Sequence, residues 1–426
     1  MRSFKSCTKR TVPHWLQIAL LWFGTLILFA CNVAPSATVS PPPNPTATRP
    51  ALSVTTTPSA ILGLDAPKSC IQLTDAPLNV DESKGVLVVL NYDFPRFNSY
   101  LLEPKSDQLL DIENLTEVSW EHSTTDVSAA RVSPNTEFLQ AYLRSQTRAI
   151  VRNADNIFRE YDTQGQEDWN RQRWLDNENM VFQRWLDISE GNYSVVIYNP
   201  FTGDERDLQI ELPNPYLVDD ISGRFSWVKA DIASSLRKVL YNTSDERLVL
   251  WDLNTQREIT ALPSPADLMQ GTWSPDGEKF AVPSSTSDAF STEWHTIDMD
   301  GKIKVLTHLH QDYPFVDVGT NPSWSPNGDR IAYWLTVSAA VNDDPKTLRQ
   351  WLAITNSNTM ETQILCLSPG AQGHGSGIVW DPDGTQLIAG IGLSRDEGSA
   401  TLVDLNRLTQ TPLDTHGFFV IGWLTP

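Results

Sequence analysis

The sequence predicts an all-β chain built from repeated four-stranded antiparallel units, and three observations predict it. Residues 272–282, 323–333 and 379–389 share one pattern, in which Trp-Ser-Pro-Asp-Gly, Trp-Ser-Pro-Asn-Gly or Trp-Asp-Pro-Asp-Gly separates two apolar runs. A second hairpin signal follows each copy: Trp294 to Val305 turns at Asp300-Gly301, and residues 351–365 and 400–413 turn at Asn-Ser-Asn-Thr and Asn-Arg-Leu-Thr. The chain ends in the run Phe418 to Trp423, which looks like a further first strand with nothing after it.

Taken in order, the chain begins with Arg2, Lys5, Lys9 and Arg10, then runs uncharged and largely apolar from Trp15 to Ala30. A basic head, a short apolar core and a small residue before the cut form a secretory signal. Leu28-Phe29-Ala30-Cys31 resembles a bacterial lipoprotein lipobox, which implies lipid on Cys31 and cleavage before it. An uncleaved transmembrane anchor and an ordinary signal peptide are the alternatives, and all three place the rest of the chain outside the cytoplasm. Residues 31–60 carry seven prolines among Ser, Thr and Ala, with no apolar periodicity. Such a segment buries too little surface to offset its ordering entropy and reads as an extended, disordered tether.

Residues 61–426 then read as a single domain. Val86 to Asn91, Ser99 to Glu103 and Gln108 to Ile112 offer three strands without a first one. Degenerate copies of the Trp motif start at Val132, Trp174 and Trp227, and the clear copies start at Trp273, Trp324 and Trp380. In each clear copy, Pro presets φ and Asp-Gly or Asn-Gly supplies the φ > 0 position of a tight hairpin. Two hairpins make one four-stranded propeller blade of about 40–50 residues. Six anchors give six blades. The C-terminal strand with the three N-terminal strands gives a seventh, which closes the ring and removes the free edges. The expectation is a seven-bladed β-propeller; six or eight blades are the alternative counts. The motif-bearing tryptophans are expected to pack between blades.

The Trp-Ser-Pro-Asp-Gly core resembles the WD40-like repeat of TolB-type propellers and of the propeller domains of prolyl-oligopeptidase-like enzymes. The resemblance is strong over residues 272–415 and degenerate elsewhere. It does not extend to the folded domain that precedes the propeller in the TolB family, so the TolB role in the envelope is not carried over.

Net charge is −20, and loss of residues 1–30 removes four basic residues and no acid. That argues against nucleic-acid binding and against anionic membrane surfaces. The expected partners are the membrane, through the Cys31 lipid, and an envelope protein, peptide or glycan. The folded body is expected to be a monomer without a cofactor. Cys70 and Cys366 remain after the leader and Cys31 are set aside, and they either pair in a bridge or stay as buried thiols. No CxxC or Cys/His cluster has zinc spacing, and no Gly-x-Ser-x-Gly elbow, phosphate loop or Rossmann fingerprint is present. Asp298-Met299-Asp300-Gly301 fits a hairpin turn better than a calcium loop, because the twelfth-position Glu is missing.

Tight turns fall on one side of such a ring and long connections on the other. The long ones are 113–128, 153–172, 209–222, 284–292, 308–321, 336–349 and 367–376. Binding favours long connections on a rigid scaffold. The candidate partner-binding residues are therefore Glu121, Phe158, His308, His310, Asp312 and Tyr313. Read as a strand, His308 and His310 face one way and with Asp312 offer metal-ligand chemistry, although exposed polar groups at a strand end are the plainer reading. A binding or scaffold role is the preferred function. The alternative is a lyase or lactonase type of propeller enzyme with a metal-assisted site at the channel mouth.

Overall fold

The computed structural model describes residues between Ser69 and Thr425, with gaps in several connections; residues 1–68 lie outside the described residues. The signal, Cys31 and the tether therefore fall outside it. All described residues belong to the unit Pro58–Pro426.

The chain is all-β, and its described helices are two single 3-10 turns, Leu268–Gln270 and Leu309–Gln311. Among the described residues the same antiparallel four-strand pattern recurs, and we number its sheets by their motif-bearing first strands. Sheet one pairs Phe418–Leu424 with Val86–Asp93, Arg96–Glu103 and Gln108–Asp111. Sheet two is Val127–Val132, Leu139–Leu143, Arg148–Arg152 and Ile157–Asp162. Sheet three is Arg173–Trp174, Met180–Gln183, Tyr193–Tyr198 and Glu205–Ile210. Sheet four is Ala230–Ile232, Lys238–Asn242, Leu248–Asp252 and Arg257–Leu262. Sheet five is Thr272–Trp273, Lys279–Ser285, Thr292–Asp298 and Ile303–Val305. Sheet six is Ser323–Trp324, Arg330–Ser338, Arg349–Asn356 and Thr362–Cys366. Sheet seven is Ser376–Trp380, Gln386–Ile391, Ser399–Asp404 and Thr409–Leu413.

Local chemistry explains the hairpins. In the first turn of sheet five the Ser274 hydroxyl accepts from Lys279 N at 3.0 Å and donates to Asp276 Oδ1 at 2.5 Å. Ser325 and Ser133 repeat this, accepting from Arg330 N and Phe138 N at 2.9 Å. In sheet seven Asp381 replaces the serine, and its Oδ1 accepts from Thr385 N and Gln386 N. The second turns open on Asn199, Asp252, Asp298, Asn356 and Asp404, whose side chains cap the N–H groups two to four residues on.

The core lies between successive sheets. Leu175, Val181 and Ile197 of sheet three pack on Ile232, Val239 and Val249 of sheet four. Phe280 and Ile297 of sheet five meet Leu240 and Leu250 of sheet four. Trp294 of sheet five meets Trp324, Tyr333 and Trp351 of sheet six, and Trp334 of sheet six meets Trp380 and Leu387 of sheet seven. The first strands also touch one another. Trp174 Nε1 donates to Arg131 O, Trp324 Nε1 to Thr272 O and Trp380 Nε1 to Ser323 O. Arg173 reaches Asp231, which also accepts from Trp273 Nε1 at 2.9 Å. Phe418–Leu424 lies against Ser376–Trp380 on one side and Val127–Val132 on the other. A Cβ on Gly422 would come within 2.7 Å of Val132, so glycine permits that last approach.

The structure corrects several expectations. Trp227 does not open sheet four. Phe225–Val228 pairs instead with Leu186–Asp187 and Leu217–Asp219 in a separate three-stranded sheet. The anchor of sheet four is Ile232, which carries no visible motif and is 1% exposed. Trp273 is half-buried, unlike Trp174, Trp324, Trp380 and Trp423. Residues 153–172 are not one long connection, because Ile157–Asp162 forms the fourth strand of sheet two. Residues 308–321 contain a 3-10 turn and the strand Phe315–Val318, which pairs with Arg330–Ser338 beside Ser323–Trp324. Short segments near the start add parallel strands at outer edges: Ser69–Cys70 on Thr362–Cys366, and Gln72–Leu73 on Thr409–Leu413.

Candidate functional site

On the long-connection side the site centres on Glu293, at the start of the third strand of sheet five. It is 1% exposed and pairs across the sheet with Ser284. A carboxylate so placed needs hydrogen-bond donors, because burial without them costs several kcal/mol or more. Thr307 donates its hydroxyl to Oε2. His310 N–H donates to Oε1 at 2.8 Å, and His310 Nδ1 lies 2.7 Å from the same oxygen. The carboxylate accepts a hydrogen bond from Nδ1–H and fixes the orientation of the ring. The His310 side chain is 38% exposed, so the pair connects the interior with the surface.

The turn that carries His310 is tied into the core. Leu309 is buried and anchors the 3-10 turn Leu309–Gln311 in the core between sheets five and six. Tyr313 N donates to Leu309 O at 2.9 Å, and the Tyr313 ring sits 5.8 Å from that of Trp351. Burial pushes the Tyr313 phenol up from its ordinary value. His295, two residues from Glu293 along the strand, has Nδ1 3.0 Å from Glu293 O. Desolvation lowers its pKa and outweighs the hydrogen bond to Glu293 O and the Glu293 charge, which raise it. His308 and Asp312 flank the turn and are exposed. Beside Glu293, Thr292 borders a recess of about 300 Å³ that Tyr216, Lys229, Asn242 and Asp267 also line. Lys229 pairs with Asp267 at 3.1 Å and lies 5.0 Å over the Tyr216 ring.

The sequence-predicted residues are therefore partly assembled. His308, His310, Asp312 and Tyr313 share one ordered turn. They do not lie on a strand, and among the described residues no group of three or more His, Cys, Asp or Glu could hold a metal. Phe158 lies in the fourth strand of sheet two rather than in a connection, and Glu121 lies outside the described residues. Glu293 was missed. Its signal is period two, which puts Glu293 and His295 on the face opposite Trp294.

On the tight-turn side a second cavity of about 420 Å³ is lined by residues from every one of the first strands. Arg131, Arg173, Asp231, Thr272, Ser323, Val379 and Gly422 each precede the anchor of their strand, and all line it. Arg173 grips Asp231 through Nε at 2.9 Å and Nη2 at 2.7 Å. Cys366 is disulfide-bonded, and Cys70 stands opposite it in the parallel pairing. Among the described residues no helix is long and apolar enough to cross a membrane.

No family model matches the chain, and no curated protein does. Similar solved structures include TolB from Acinetobacter baumannii, at 12% identity over 81% of this chain and 67% of that one, TM-score 0.40. Kuenenia stuttgartiensis hydrazine synthase matches at 14% identity over 68% of this chain and 80% of that one, TM-score 0.41. A putative dipeptidyl aminopeptidase IV from Bacteroides ovatus matches at 12% identity over 80% of this chain, TM-score 0.46; the chain spans 60% of its length. None of these similarities assigns a function to this chain.

Proposed function

We propose that this chain is a seven-bladed β-propeller, exported and held outside the cytoplasm by lipid on Cys31, that binds an envelope protein, peptide or glycan. Support for a closed ring is the series of contacts from one first strand to the next, carried through Asp231 at sheet four, with the C-terminal strand between sheets seven and two. Support for an oxidising compartment is the disulfide at Cys366, which we assign to Cys70 opposite it.

One observation carries the binding role. The long-connection side combines a recess of about 300 Å³ with an exposed imidazole pinned by the buried Glu293. Ordered polar groups cost little entropy to engage, which favours recognition. His308, His310, Asp312 and Tyr313 would form that partner-contacting patch, with Glu121 and Phe158 as its remaining candidates.

The test is capture of partners from envelope extract by the full chain. His310→Asp with Tyr313→Asp should remove the captured species. Asp276→Lys with Asp383→Lys, on the tight-turn side, should leave them. Loss only with the second pair would overturn the assignment. For the anchor, Cys31→Ser should move the protein out of the membrane fraction, and continued membrane association would refute lipid attachment.

A further inference from the structure

We propose that the recess of about 300 Å³ bordered by Thr292 takes the terminal sugar of a neutral glycan, with Tyr216 as its stacking wall and Gln270 as its polar rim contact. The inference rests on the binding role proposed above and names its ligand class.

Buried hydrogen bonds hold the walls of the recess in place. Asn242, 4% exposed, donates from Nδ2 to Ala266 O at 2.7 Å and accepts at Oδ1 from Leu268 N at 3.0 Å. Those two bonds fix the connection that carries Asp267 and Gln270 against sheet four. The backbone of Asn242 holds the opposite wall: Tyr216 N donates to Asn242 O at 2.8 Å, and Asn242 N donates to Lys229 O at 2.8 Å. Lys229 Nζ then joins the two walls, 3.1 Å from Asp267 Oδ2 and 5.0 Å over the Tyr216 ring. Groups fixed before the ligand arrives lose little entropy when they engage it.

The chemistry of the lining selects a sugar. A sugar ring presents hydroxyls around its rim and C–H groups on its faces, and the recess offers a match for both. Tyr216, Ala266 and Pro283 form an apolar wall suited to a C–H face. Ser285, Thr292 and the exposed side chains of Gln270 and Glu246 line the rest. A glutamine amide both donates and accepts, as a hydroxyl does, and a carboxylate accepts from two neighbouring hydroxyls at once. Lys229 is engaged by Asp267, and Glu246 adds a negative charge, so the lining favours a neutral ligand over an anionic one. A volume of about 300 Å³ lies at the small end of ligand sites, which suits the end of a glycan and excludes a folded partner.

Isothermal titration of the full chain, in a detergent without sugar head groups, tests this. Glucose, galactose, mannose and N-acetylglucosamine are the sugar arms, and putrescine, a cation without hydroxyls, is the contrasting arm. One-site saturable binding is expected in at least one sugar arm. Tyr216→Ala should weaken it by about tenfold or more, and Gln270→Ala by about threefold or more. Arg407→Gln, on an exposed turn of sheet seven, should not change it. If Tyr216→Ala does not fold cooperatively, Gln270→Ala decides alone. Absence of binding in every sugar arm up to about 50 mM overturns the proposal, as does binding in the putrescine arm only. Sugar binding unchanged in the folded variants overturns it too. Partner capture that survives while the sugar arms fail would sink this inference and leave the binding role standing; loss of capture with sugar binding intact would do the reverse.

Discussion

In sheet five the first turn reads Ser274-Pro275-Asp276-Gly277, with Gly277 at φ +70; in sheet four the corresponding turn reads Ala233-Ser234-Ser235-Leu236, with Leu236 at φ +56. The backbone bonds match. Gly277 N donates to Ser274 O at 2.8 Å and Leu236 N to Ala233 O at 2.9 Å. Ser274 N donates to Lys279 O at 2.8 Å and Ala233 N to Lys238 O at 2.9 Å. Sheet four thus makes the same turn without the proline, the glycine or the capping serine. The two sheets face each other across one core, which holds Leu236 in a conformation that a free peptide would disfavour by about 1–2 kcal/mol. Packing on both sides sets the turn, and the motif lowers its local cost.

The largest test of that equivalence concerns the anchors. Trp324→Ala, in a clear copy, should cost about 3–5 kcal/mol, and Ile232→Ala, in the disguised one, about 2–5 kcal/mol, by denaturation midpoint. A loss under about 0.5 kcal/mol at Ile232 would break the proposed correspondence. Next in size is Gly277→Ala. A Cβ there would lie 2.0 Å from Ser234 Oγ at a positive φ, and we expect a cost of about 1–3 kcal/mol. Smaller and of opposite sign is Leu236→Gly, which relieves the backbone but removes a partly buried side chain. It should be neutral or stabilising by up to about 1 kcal/mol. A clear destabilisation would mean that Leu236 packing, not its backbone, dominates sheet four.

The smallest effect separates the sheets by pH. His295 occupies the strand position that Val249 holds in sheet four, three residues before the turn aspartate. Desolvation lowers the His295 pKa, so the unfolded chain takes up the proton first as pH falls. The stability associated with neutral His295 is present above the ordinary histidine range. It is lost as pH drops through and below that range. His295→Val should therefore flatten the stability profile between about pH 7 and 5, read by urea midpoints across that window. An unchanged slope would show that the dependence arises elsewhere.

These comparisons also show what the sequence exposes. Glycine and proline mark turns whose local cost is low, so sheets five, six and seven were legible from Trp273, Trp324 and Trp380. The pairing of Phe418–Leu424 with Val86–Asp93 was legible because each terminus carried an incomplete pattern. Ile232 was not, because tertiary packing rather than residue type imposes the turn after it. The histidines of residues 308–310 were visible as a cluster, but their geometry depends on Glu293, whose burial no local pattern announces. The cavity on the tight-turn side was hidden for a further reason. Its level takes single residues from strands spread between Arg131 and Gly422, and no window along the chain contains two of its walls from distant sheets.

The segment Ser69–Leu73 has a mechanical consequence. It crosses the outer edges of sheets six and seven in turn, parallel to both, with Ile71 in their shared core and Cys70 opposite the bridged Cys366. Tension arriving from the N-terminal side reaches this strap before it reaches Val86–Asp93. Pulled along strands that run parallel, hydrogen bonds share a load in shear instead of opening one after another. The strap would therefore act as a strain relief, sparing the joint where the two ends of the chain meet.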